Sequence, residues 1–141
     1  MSDPLSVQEV SLVQALALLA AVREEAGRQG LAVAAAVADR GGHVIASARM
    51  DGSPLGAMVL ALDKAYTAVL WQTPTGEFME STQPGAADWG FTSTSGGRIV
   101  VYAGGLPLFA GDGLIGALGV SGGTGEQDEA CAKAAIAAAG L

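Results

Sequence analysis

The stretch Leu114-Ile115-Gly116-Ala117-Leu118-Gly119-Val120, followed by Ser121-Gly122-Gly123-Thr124-Gly125 and Glu126-Gln127-Asp128-Glu129, switches from one local pattern to another. The first seven residues are an apolar run interrupted by two glycines, which reads as a buried strand. The glycine loop ends that run, and an alanine-rich segment to Ala139 continues as a helix. Thr124 and Gln127 have the spacing of a capping box, so the helix start is encoded locally. A loop of this kind presents backbone N–H groups at the positive end of a helix, where an anion can be held. The same glycines are also what a strand needs to turn tightly into a helix.

Working outward, Leu106–Ala110 precedes the turn Gly111-Asp112-Gly113 and makes a hairpin with this last strand. Arg98–Tyr102 reads as another short strand before Gly104-Gly105. Near the start, Leu31–Ala38 and Val44–Met50 flank Asp39-Arg40-Gly41-Gly42 and form a second hairpin. The first of these runs does not alternate, which predicts a central strand covered on both faces. Ser6 with Glu9 offers a capping box, stapled by Leu5 and Val10, for a helix over Val10–Val22 that is buried on more than one side and closed by Gly30. Ser53 and Pro54 have the order of N-cap and first helical residue for the next helix. On it, Leu55, Met58, Val59, Leu62, Tyr66 and Val69 form the face predicted to pack on the sheet. Ala57, Ala61, Ala65 and Ala68 form a stripe narrow enough for another helix to approach. Between Gln72 and Gly97 periodicity stops, and a loop of this length is usually functional. The order is α-β-β-α-loop-β-β-β-α, an α/β protein of α+β type with five mainly antiparallel strands, read as one domain over residues 1–141.

Composition narrows the function. Half of the residues are hydrophobic, only 15% are charged and the formal net charge is −7. An acidic chain without a basic patch argues against nucleic acid or an anionic membrane surface as partner. So much apolar surface with so few charges predicts a homo-oligomer. Cys131 is the lone cysteine, which suits a reducing compartment and a packed thiol. The start Met1-Ser2-Asp3-Pro4 has no basic leader, no apolar run approaches the ~20 residues of a membrane span, and cytoplasm is the expected location.

Several residues carry candidate chemistry. His43, the one histidine, follows a glycine turn; it is a candidate axial ligand to a haem iron, a general base, or a solvated turn residue. Lys64 lies on a stripe with Leu60, Thr67 and Trp71, half-buried. With Arg49 and Asp51 it makes a candidate catalytic set for an acidic substrate near Gly122 and Gly123, or it forms a structural ion pair with Asp51 or Asp39. Trp71, Phe78, Trp89 and Phe91 wall either a pocket for a flat ligand or a subunit contact. With one His, one Cys and scattered carboxylates, no metal site of three or four protein ligands can be read.

Four blocks together resemble the GlcG/HbpS-like family, which includes the C-terminal domain of PduO-type proteins. They are Val37-Ala38-Asp39-Arg40-Gly41-Gly42-His43-Val44, Ala48-Arg49-Met50-Asp51-Gly52, Asp63-Lys64-Ala65-Tyr66-Thr67-Ala68, and Gly104-Gly105-Leu106-Pro107-Leu108 leading to Ile115 through Gly123. The resemblance implies a profilin-like antiparallel sheet and assembly into dimers and larger rings such as octamers. It also implies a haem or corrinoid ligand and a sensing or accessory role; the candidate binding residues, read from the residues themselves, are Trp71, Phe78, Trp89, Phe91, Ser121, Gly122 and Gly123. The adenosyltransferase label of PduO-type proteins belongs to their other half. A small catabolic enzyme working through Lys64, Arg49 and Asp51 is the alternative.

Overall fold

The computed structural model describes residues 2–141. Its order is α1 (Leu12–Arg28), β1 (Ala34–Ala38), β2 (Val44–Arg49), α2 (Ala57–Trp71), β3 (Gly105–Ala110), β4 (Gly113–Ser121) and α3 (Gly125–Ala138), with three short 3₁₀ turns between α2 and β3. The strands form one antiparallel sheet in the order β2-β1-β4-β3. β1 is central and all five of its residues are buried, as its unbroken apolar run predicts. Residues two apart in a strand share a face. Ala35 and Val37 therefore join Leu18, Val22, Leu118, Val120 and Cys131 in the larger core, under α1 and α3. Ala34, Ala36 and Ala38 face α2.

The two faces are built differently. Under α1 and α3 the side chains of Leu, Ile and Val from α1 and the strands pack with the small Cys131, Ala132 and Ala135 of α3. Under α2 they are almost all alanine, and the helix comes so close that a Cβ on Gly119 would overlap the carbonyl oxygen of Ala61 and lie 2.7 Å from the Ala65 nitrogen. This geometry corrects the predicted face of α2. The alanine stripe Ala57, Ala61, Ala65 and Ala68 is what meets the sheet, whereas Leu55 and Val59 are 82% and 61% exposed. Glycine and alanine set this separation, and of the predicted face Val69 alone is fully buried.

Four further expectations change. The sheet has four strands, because Arg98–Tyr102 joins no ladder. Its backbone is satisfied by side chains instead: the Thr67 hydroxyl accepts the Val100 N–H at 3.1 Å, and the Thr75 hydroxyl donates to the Tyr102 carbonyl at 2.7 Å. Helix α1 begins later than Ser6–Glu9 suggests. Ser11 is its N-cap in a capping box with Gln14, since the Val10 N–H is drawn to the Ile115 carbonyl and the Glu9 carboxylate accepts the Arg40 N–H. Nor is α1 buried on more than one side: Ala15, Leu18, Leu19, Val22 and Ala26 make one buried face, and Leu12, Val13 and Leu16 are all more than half exposed. Ser53 does not cap α2, whose N-cap is Gly56 with no side-chain hydrogen bond. The Thr124–Gln127 capping box forms as read, and Gly30, at φ 70°, closes α1 with a Leu31 N–H to Ala26 carbonyl bond.

Candidate functional site

Two sites emerge from the residues singled out in the sequence, and they lie apart. The first is buried. Lys64, on the sheet-facing side of α2, is 1% exposed, and its ammonium donates to the Val120 carbonyl at 2.9 Å and to Asp128 Oδ2 at 3.0 Å. Asp128 is 2% exposed, and its other oxygen accepts the Gly123 N–H at 2.8 Å. Burial pushes the Lys64 ammonium below the usual lysine range, and the Asp128 charge and hydrogen bond pull it part of the way back. The partner of Lys64 is thus Asp128, rather than Asp51 or Asp39.

This arrangement explains the glycine loop. The first turn of α3 does hold an anion, and that anion is the protein's own carboxylate. The Thr124 N–H is taken as well, by Gln127 Oε1 at 2.9 Å. Gly122 has φ 138°, and a Cβ there would lie 2.7 Å from the Ala32 carbonyl oxygen. Ser121 is buried at the end of β4.

Arg49 and Asp51 are elsewhere. They line a shallow pocket with Arg23 and Met50, and neither is a partner of Lys64, whose ammonium is taken by Val120 and Asp128. The structure therefore does not bring Lys64, Arg49 and Asp51 together. Of the four aromatics, Trp71 meets Phe91 edge-on with centroids 5.2 Å apart, and Phe78 meets Phe91 at the same separation. Trp89 is 66% exposed and stands outside this cluster.

The second site is an open cleft of about 530 Å³ between the β1–β2 hairpin and α2. Ala36 and Ala38 form its floor, Val44, Val59 and Leu62 its apolar walls, and His43, Asp63 and Arg98 its polar rim. Asp39 organises the turn, accepting the Gly41 and His43 N–H groups at 2.9 and 3.0 Å. The same oxygen faces His43 Nδ1 at 3.3 Å. Across the cleft, Arg98 pairs with Asp63 at 2.9 Å and its guanidinium lies 3.8 Å from the centre of the Tyr66 ring, which rests against Gly42. Arg98 and Asp63 were missed in the sequence because 34 residues of aperiodic chain and helix separate them; only folding makes them a pair. No group of three or more His, Cys, Asp or Glu side chains among the described residues is placed to hold a metal ion. The Cys131 thiol is fully buried, and burial raises its pKa, which suits a packing role.

Residues 10–137 match the family described as haem degrading protein HbpS-like. The chain is 40% identical over 121 residues to the corrinoid adenosyltransferase PduO of Salmonella typhimurium, covering 86% of this chain and 36% of that one. It therefore spans about a third of that relative's length. Among solved structures, the Klebsiella pneumoniae protein ORFY superposes with a TM-score of 0.97 at 35% identity, covering 100% of this chain and 97% of that one. A structure described as a PduOC:heme complex superposes with a TM-score of 0.88 at 39% identity, covering 92% and 94%.

Proposed function

This chain belongs to the HbpS-like family, and we propose that it binds haem, or a closely related tetrapyrrole, in the cleft between the β1–β2 hairpin and α2. The observation that carries the proposal is the placement of the one histidine of the chain on the rim of an apolar cleft of suitable size. The residues fit the group. A tetrapyrrole is a flat apolar macrocycle with acidic groups at its edge, and alanine, valine and leucine line this cleft with an arginine at its margin. His43, beside Asp39, would be the residue to hold the iron. Arg98 is 42% exposed on its side chain, so it can turn from Asp63 toward a ligand carboxylate. Haem, when bound, supplies the redox chemistry; the protein's share is to seat the ring, fix the imidazole and shield one face from water.

The similarity to a structure holding haem supports this reading. The transferase activity named for PduO is not carried over, because this chain matches 36% of that protein. A sensing or accessory role in a cytoplasmic homo-oligomer completes the proposal, with the exposed apolar faces of α1 and α2 as the assembly surface.

Titrating the purified protein with haemin is expected to give a saturable Soret band at micromolar concentration. His43→Ala should shift that band and weaken binding by roughly tenfold or more. Trp71→Ala should leave it unchanged, since Trp71 does not line the cleft. A parallel titration with hydroxocobalamin separates a corrinoid from haem. No saturable spectral change with either compound overturns the proposal.

A further inference from the structure

The aperiodic segment after α2 ends on Arg98, and α2 holds that residue in three ways. Thr67 Oγ1 donates to the Arg98 carbonyl at 3.4 Å, which fixes the backbone. The guanidinium lies 3.8 Å from the centre of the Tyr66 ring, and its Nε donates to Asp63 Oδ1 at 2.9 Å. Tyr66 and Thr67 follow Asp63 by three and four residues, so the three share one side of the helix. Tyr66 is backed in turn by the hairpin that carries His43, since a Cβ on Gly42 would lie 2.7 Å from its ring.

The ion pair in this group is of the weak kind. Among the described residues the Arg98 side chain makes one hydrogen bond, through Nε, and its terminal nitrogens donate none. A carboxylate engages a guanidinium best through two parallel bonds, and Asp63 supplies one. The two side chains are 42% and 20% exposed, and an exposed pair of this kind is favoured only about two- to fivefold over its open form. Both residues border the cleft between the β1–β2 hairpin and α2. A ligand carboxylate arriving at that margin meets an arginine with unused donors, and beside it the repelling charge of Asp63.

Building on the haem reading of this cleft, we propose that Asp63 competes with the ligand: it holds Arg98 until an edge carboxylate of the tetrapyrrole takes the guanidinium over. Tyr66 and the Thr67 bond keep Arg98 at the margin during the exchange, because stacking fixes the plane of a guanidinium and leaves it free to turn within that plane. Affinity then depends on the difference between two carboxylates, one from the protein and one from the ligand. The ligand class selected is a tetrapyrrole with free carboxylates, over the same ring with its acids esterified. The sign is distinctive, since losing a positioning residue weakens binding and losing a competitor tightens it.

Soret titrations of the full chain with haemin and with haemin dimethyl ester test this, after circular dichroism has matched each variant to the parent. Asp63→Asn is expected to tighten haemin by about two- to fivefold, and Asp63→Ala, which removes the acceptor altogether, by at least as much. Arg98→Gln should weaken haemin by about tenfold. In the Arg98→Gln background Asp63→Asn should change nothing, because the competitor has lost the group it competes for. The dimethyl ester should bind parent and variants alike. Unchanged or weaker haemin binding by both Asp63 variants overturns the proposal. Equal tightening with and without Arg98 overturns it as well, since that is plain charge repulsion, and so does an ester that follows the same pattern as the acid. Each of these results leaves the haem reading standing; failure of the parent to bind haemin overturns that reading and the competitor with it.

Discussion

At the scale of single residues, Lys64 dominates. It is the largest fully buried side chain, and it carries a charge. Removing one member of a buried pair strands the other, so Lys64→Met is expected to cost about 3–5 kcal/mol in urea unfolding. Adding Asp128→Asn should recover part of that loss, because the stranded charge disappears while an amide oxygen can still accept the Gly123 N–H. The pH dependence follows from the direction of the lysine shift. Burial lowers the folded-state pKa, so between that value and the ordinary lysine range the unfolded chain holds more protons than the folded one. The Lys64 contribution therefore makes stability rise with pH across that alkaline window. Comparing wild type with the double variant at neutral and alkaline pH reads this out; equal slopes would contradict it.

Among the elements, the contact of α2 with β4 is set by what is missing. The Ala61 carbonyl and Ala65 nitrogen are rigid backbone, and no side-chain adjustment makes room for a methyl group on Gly119. Gly119→Ala should destabilise by roughly 1–3 kcal/mol or more. By contrast, the nearest atom to a Cβ on Gly123 is the end of the Gln127 side chain, which can move, so Gly123→Ala should cost less in thermal unfolding. The segment Arg98–Tyr102 depends on threonines in place of a strand partner. Thr67→Val leaves the buried Val100 N–H without its acceptor and is expected to cost about 1–3 kcal/mol, seen as a lowered urea midpoint.

For the whole molecule, the exposed apolar surface sets an expectation. Leu12, Val13 and Leu16 on α1, and Leu55, Val59 and Trp71 on and beside α2, are each at least half exposed. Light scattering is expected to give a mass that is a multiple of 13.9 kDa. A mass of one chain at micromolar concentration would count against assembly. No helix among the described residues is long and apolar enough to cross a membrane. How much of this was legible depends on range. Sequence alone determined the hairpins, the central β1, the Thr124 capping box and the family, because turn chemistry, periodicity and motif order act over a few residues. Tertiary structure decided the rest. Whether Ser6 or Ser11 caps α1 turns on a bond from Val10 to Ile115, more than a hundred residues away. Which stripe of α2 faces inward turns on the glycines of β4, and the partner of Lys64 turns on α3 being folded back beneath it. Arg49 does not reach Lys64 because that ammonium is buried and already held by Val120 and Asp128. Charges choose partners by distance in space, and that distance exists only once the sheet has formed.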